Sequence, residues 1–219
     1  NYMNISEAVE QRRSIRAFTD KQVPNSVIKD LLSKSARSAS GGNLQPWKVC
    51  VINNNSMRSF LNFQNEWTKE EAPGYDIYPP KLKEPYRTYR YELGEQMYDL
   101  LGISREDKVS RINWVMQNFQ FFGAPVGLFC FIDKTMGPPQ WSDLGMFLQT
   151  FMLLAKEAGL DTCAQESWSI KSDSVCQFFK IPDEEMLFCG MAIGYQDENA
   201  EVNKLKSKRS PIDEWATFF

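Results

Sequence analysis

Four short segments hold most of the residues in this chain that are able to do chemistry. The first is Arg12-Arg13-Ser14-Ile15-Arg16-Ala17-Phe18, and the last runs from Asn203 to Pro211 through Lys204, Lys206, Lys208 and Arg209. Two basic clusters on a chain of net charge −3 suit a small anionic ligand better than a polymer, provided that the two ends of the chain meet. Between them lie Ser40-Gly41-Gly42-Asn43-Leu44-Gln45-Pro46-Trp47 and Gly159-Leu160-Asp161-Thr162-Cys163-Ala164-Gln165-Glu166-Ser167. Gly41-Gly42-Asn43 is a turn signal that matches neither a GxGxxG dinucleotide loop nor a P-loop. Each segment alone also has a plain structural reading, since arginines at a helix C-terminus oppose its dipole and a basic tail is ordinarily solvated.

What the chain lacks narrows the chemistry further. It has no histidine among 219 residues, which removes Ser-His-Asp and Cys-His catalysis, His-based metal sites and a histidine general base. An enzyme built on this sequence is therefore expected to draw its chemistry from a bound cofactor, with no metal. The balance of 25 basic and 28 acidic residues leaves no footprint for nucleic acid or an anionic membrane. No apolar run approaches the roughly 18 residues of a membrane span, and no signal peptide opens the chain. Met3 reads as a natural start, with Asn1 and Tyr2 as added or upstream residues. The five cysteines, Cys50, Cys130, Cys163, Cys176 and Cys189, are odd in number and scattered, so buried thiols in a reducing cytoplasm are expected.

The elements that must position these segments can be read from periodicity and caps. A short helix is expected from Asn4 or Ser6 to near Arg13, and a second from Pro24 with Val27, Ile28, Leu31, Leu32 and Ala36 on one face. Trp47–Ile52 reads as a strand, followed by a helix over Met57–Trp67. Glu70–Pro85 is irregular, and helices are expected at Tyr86–Leu101 and Asp107–Phe122. Pro125–Ile132 is a strand that Gly137-Pro138-Pro139 must end. Trp141–Ala158 is apolar nearly all round, which predicts a central helix with Gly159 at its C-terminal cap. Strands near Leu160–Cys163 and Met186–Gly194 flank a helix over Ser172–Phe179. The result is one α+β domain over residues 1–219, with a small mixed or antiparallel sheet flanked by helices.

Taken together and in order, R-R-S-x-R-x-F at Arg12–Phe18, N-x-Q-P-W at Asn43–Trp47 and Trp141-x-Asp143-x-Gly145 resemble the nitroreductase family of flavoproteins. The similarity runs from about residue 3 to the C-terminus. It is nearest to the nitrobenzoate-reductase-like branch, which shares an insert, here about residues 70–102, with Tyr86-Arg87 and Gly94-Glu95. The resemblance implies FMN held at a homodimer interface, with its phosphate on Arg12, Ser14 and Arg209 and with Arg13 close by. Lys206 or Lys208 stands in for a basic residue that the family often has where this chain has Ser207. A phosphate of about −1.5 to −2 charges suits guanidinium donors and a hydroxyl.

The resemblance further implies that Arg16 points at the flavin N1/O2 edge, joined by Gln117 and Gln120, with Asn118 as the alternative if the register shifts by one. Ser40, Gly41, Asn43 and Gln45 would reach from the partner subunit over the ring. Gln165, Glu166 and Ser167 would line the N5 side, with the Glu166 backbone N–H, not its carboxylate, as the working group. The activity implied is ping-pong hydride transfer from NAD(P)H through N5 to an electron-poor acceptor such as a nitroaromatic or quinone. Reductive dehalogenation or flavin fragmentation on the same fold, and a non-catalytic FMN-binding redox sensor, stay open. Six tyrosines between Tyr75 and Tyr98 read either as a packed insert or as an aromatic lid in which Tyr86, Arg87 and Arg90 meet substrate. The terminal Trp215, Phe218 and Phe219 are too apolar for a frayed end, so the tail either folds back on its own subunit or crosses to the partner; the resemblance and the apolar Trp141–Ala158 helix favour an arm exchanged between the two subunits.

Overall fold

A computed structural model describes residues 3–219; Asn1 and Tyr2, read above as added or upstream residues, lie outside them. The framework is a four-stranded sheet of β1 (Lys48–Asn53), β2 (Val126–Asp133), β3 (Asp161–Gln165) and β4 (Glu185–Gly194), in the order β1-β2-β4-β3. Every strand pairing is antiparallel. Helices cover both faces, so β2 is buried on both sides and reads as an unbroken apolar run.

Strand pleating sends Val126, Leu128, Cys130 and Ile132 to one face. There they pack with Ile28 and Leu31 of α2 (Asn25–Ser35) and with Leu144, Phe147 and Phe151 of α6 (Pro138–Glu157). Phe129 and Phe131 go to the other face and join Phe60 of α3 (Asn55–Glu66), Phe121, Trp168 and Val175 of α7 (Ser172–Phe179). The prolines that end β2's run also open α6, where a missing N–H costs nothing. α6 is buried along one face, with Gly145, Met146 and Gln149 exposed on the other. Met146 on that outer face is left exposed, while Met152 and Leu154 are partly covered by the core.

Three more helices complete the set. α1 (Ile5–Gln11) starts on Asn4, whose side chain accepts the Glu7 N–H while the Glu7 carboxylate accepts the Asn4 N–H. It ends before the predicted Arg13, because the chain there straightens into a strap along β3. α4 (Tyr86–Leu101) is followed by Gly102 in the left-handed conformation, and none of its side chains is buried. α5 (Lys108–Met116) stops six residues short of the predicted Phe122. The chain then runs through a 3₁₀ segment in which Phe121 and Phe122 take positive φ of 50° and 51°, driven into the core instead of along a helix face. The Phe121 ring lies over Gly127 of β2, where a Cβ would approach it to 2.6 Å.

Candidate cofactor site

The N-terminal strap is built around one side chain. Ile15 is fully buried, and its N–H donates to the Thr162 carbonyl of β3 at 3.0 Å, beside a parallel bridge between Ser14 and Thr162. Extended backbone then turns Ser14 and Arg16 to the side opposite Ile15. The strap is clamped from the far end of the sequence by Asn203, which is 4% exposed. Asn203 Oδ1 accepts the Arg16 N–H at 2.9 Å, and its Nδ2 donates to the Ala17 and Asp197 carbonyls at 2.8 and 2.9 Å. The two ends of the chain therefore meet.

Their meeting sets two guanidinium groups against each other. Half-burial and, after it, the charge of Arg209 push the Arg12 guanidinium below its ordinary pKa. Among the described residues, none of Arg12, Arg13, Arg16, Lys208 and Arg209 makes an ion pair. Arg209 is steadied only by neutral acceptors, the Ser207 hydroxyl at 2.7 Å and the Lys208 carbonyl at 3.0 Å. Cations gathered without an ion-pair partner suit an anion such as a phosphate monoester.

Next to this point lies a cavity of about 1160 Å³, whose wall includes Arg16, Cys163, Gln165, Glu166 and Ser167. The end of β3 is fixed by Trp168, whose ring sits on Gly190 of β4, where a Cβ would come to 2.3 Å. Gln165 is buried and committed, since its Nε2 donates to the Asn118 carbonyl at 2.7 Å and its Oε1 accepts from Trp168 at 3.3 Å. The opposite wall is the insert. Tyr75 donates to the Phe188 carbonyl, and burial pushes its hydroxyl up to about 12. Burial, and after it the neighbouring Glu166 carboxylate, also raises Tyr78, and both residues line the cavity. The Arg90 guanidinium stacks 4.1 Å over the Tyr78 ring. Glu95 braces α4 through Arg105 at 3.1 Å and Arg111 at 3.4 Å.

The family model for the nitroreductase family matches residues 9–195. This chain belongs to the nitroreductase family. It is 33% identical to the chloronitrobenzene nitroreductase of Comamonas testosteroni, over 98% of this chain and 96% of that one. It is likewise 33% identical to the 4-nitrobenzoate reductase of Pseudomonas putida, over 92% and 89%. The fold superposes on the crystal structure of the FMN and NADPH-dependent nitroreductase NfnB from sphigopyxis sp. strain HMH with a TM-score of 0.94, at 40% identity and 99% coverage of both chains.

For a nitroreductase-family chain, the predicted residues fall into three groups. Arg16, Gln165, Glu166 and Ser167 line the first cavity and Lys208 and Arg209 the second, whereas Arg12, Arg13 and Ser14 line neither, Ser14 being bridged to Thr162 of β3. Gln117 and Gln120 are exposed and line neither this cavity nor the one beside the tail. Asn118 lines the first instead, because the chain leaves the helical repeat at Met116 and the register shifts by one. Ser40, Gly41, Asn43 and Gln45 form an exposed loop that also lines neither cavity. Gly42 takes its positive φ of 60° freely, whereas Asn43 (58°) and above all Gln45 (50°) are strained there, and the Gly41 N–H rests on the buried Asp143 carboxylate at 3.4 Å.

Of the substrate candidates, Arg87 and Arg90 line the cavity but Tyr86 does not. Arg87 is already paired with Glu84 at 2.6 Å, which leaves Arg90 as the available cation. Sequence reasoning missed Asn203 as the clamp, although it opens the basic segment, and missed that Tyr78 and Glu166 line the same cavity, which no spacing reveals.

Proposed function

We propose that this chain is an FMN-dependent oxidoreductase that takes reducing equivalents from NAD(P)H and passes them to an electron-poor acceptor such as a nitroaromatic or a quinone. The observation that carries this is a large cavity lined by Arg16 where the N-terminal strap meets the basic C-terminal segment, with no ion-pair partner for Arg12, Arg16 or Arg209 among the described residues. The residues fit FMN. Arg12, Ser14 and Arg209, with Arg13 and Lys208 near, would hold its phosphate, and Arg16 would present a fixed cation to the ring. A bound flavin supplies hydride uptake at N5, the chemistry that a chain without histidine has to borrow. Around it, Trp168 and Gln165 fix the end of β3, and the Tyr75, Tyr78 and Arg90 wall keeps water from the ring.

We also propose a homodimer in which the Ser40–Gln45 loop covers the partner's flavin. Ile5, Val9, Leu44, Met146, Phe218 and Phe219 are exposed apolar side chains, which a second copy would cover. Thiols that are buried or half-buried, with no disulfide, support a cytoplasmic setting.

The test is the absorption spectrum of the purified protein, followed by NADPH oxidation in the presence of a nitroaromatic. Two flavin bands and acceptor-dependent turnover are expected. A colourless protein that does not take up added FMN would overturn the reading.

A further inference from the structure

The motif Trp141-x-Asp143-x-Gly145 takes no part in the walls of the cavities described above. It nevertheless places a carboxylate on α6 where water barely reaches, since Asp143 is 4% exposed. Asp143 Oδ1 accepts the Gly41 N–H at a long 3.4 Å, and Oδ2 has no hydrogen-bond partner. Neither oxygen makes an ion pair among the described residues. A buried charge in that condition lowers stability, and a neutral side chain of similar shape would spare the fold that penalty. A carboxylate kept there points to a use outside folding.

What Asp143 touches is the Ser40–Gln45 loop, which is fastened to α6 at two places one turn apart. Near its start Gly41 rests on Asp143, and just past its end the Trp47 ring stacks on Phe147 with centroids 4.8 Å apart. Between these anchors the Ser40 hydroxyl accepts the Gln45 N–H at 3.1 Å, and the Gln45 side chain donates to the Asn43 carbonyl at 3.0 Å. Gln45 holds its positive φ without glycine's freedom, a shape that survives only where the surroundings impose it. The Trp47–Phe147 stack belongs to the apolar core, whereas the Asp143 end is the costly one. Above it the loop is bare, because a Cβ on Gly41 would meet nothing within 4 Å.

Resting on the reading that this loop covers the partner's flavin, we propose that Asp143 is the loop's positioning residue. Its buried charge lowers the stability of the free subunit and sets the loop at the height that the flavin ring requires. It touches no reacting atom. Because it acts through the loop on the ring end of the cofactor, its effect does not depend on the phosphate.

The test is Asp143→Asn, which keeps the shape and an acceptor oxygen for Gly41 and removes the charge. The flavin-free variant should melt no earlier than the native protein. Titrated with FMN and with riboflavin, which has no phosphate, it should bind both more weakly by the same factor, about tenfold, the scale of one hydrogen bond to a charged group. A loss confined to FMN would put the effect at the phosphate and overturn the proposal. Flavin affinities equal to the native ones would overturn it too. So would earlier melting of the flavin-free variant, which would make Asp143 a structural residue. A native protein that takes up neither flavin refutes the flavin reading itself, whereas a yellow native protein beside an unaltered variant refutes this proposal alone.

Discussion

Asn203 Oδ1 accepts the main-chain N–H of Arg16 at 2.9 Å, joining residues 187 positions apart. With two further bonds from Nδ2 to Ala17 and Asp197, one side chain holds the strap against the C-terminal segment. Asn203→Ala removes all three, at about 1 kcal/mol each. The expected result is a loss of about 3 kcal/mol in urea denaturation, accompanied by weaker FMN retention because Arg16 and Arg209 no longer share a frame. Unchanged stability would show that the clamp is not needed.

Arg12 and Arg209 should behave in opposite ways with and without ligand. In flavin-free protein they repel, so Arg12→Ala or Arg209→Ala should leave stability unchanged or raise it. Each should weaken FMN by about 1.5–3 kcal/mol, the worth of a hydrogen bond to a charged group. Denaturation of the flavin-free variants beside an FMN titration separates the two effects. Both variants purifying with full FMN occupancy would refute the phosphate assignment.

The tyrosine wall predicts alkaline sensitivity. Burial raises the Tyr75 pKa from the ordinary 10 to about 12, so the unfolded chain loses this proton first. Stability that is full below pH 10 should then fall as the pH rises towards 12. Tyr75→Phe should flatten that part of a melting-temperature profile. A slope identical to that of the native protein would mean that other groups cause it.

Gly190→Ala tests how β3 is aimed. Its Cβ would meet the Trp168 ring at 2.3 Å, and Trp168 fixes the segment Gln165–Ser167. Overpacking of this kind costs about 1–3 kcal/mol. The variant should melt earlier and hold flavin less tightly. A melting temperature equal to that of the native protein would show that the ring can shift.

Deleting residues 216–219 tests the arm. Residues 210–215 fold back on α4 through Tyr89, whereas Phe218 and Phe219 lie open to solvent. Truncation should weaken self-association, measured by sedimentation across a dilution series. A truncated protein that dimerises as tightly as the full chain would remove the arm from the interface.

Much of the fold was legible because local signals agreed with packing. α4 runs from Tyr86 to Leu101 as read, between Pro85 and a left-handed Gly102. The helix read over Asp107–Phe122 failed where a helical pattern competed with core burial, and Phe121 and Phe122 took left-handed backbone to reach it. That same departure moved the cavity-facing amide from Gln117 and Gln120 to Asn118. That the two basic ends meet was a condition set by the sequence, but what unites them is Asn203, whose role is a contact across the whole chain. No local pattern records such a contact.

The absence of any buried side chain on α4 has an evolutionary consequence. The sheet that aims Arg16 and Gln165 is one fabric with the core, and changes there are paid for in folding. The helix that closes the cavity shares none of that core, so its residues are free to drift. A new acceptor could be accommodated by substitutions at Arg87, Arg90 or Leu93 while the machinery beneath keeps its shape. This division lets one scaffold acquire new substrates in single steps without first gaining spare stability.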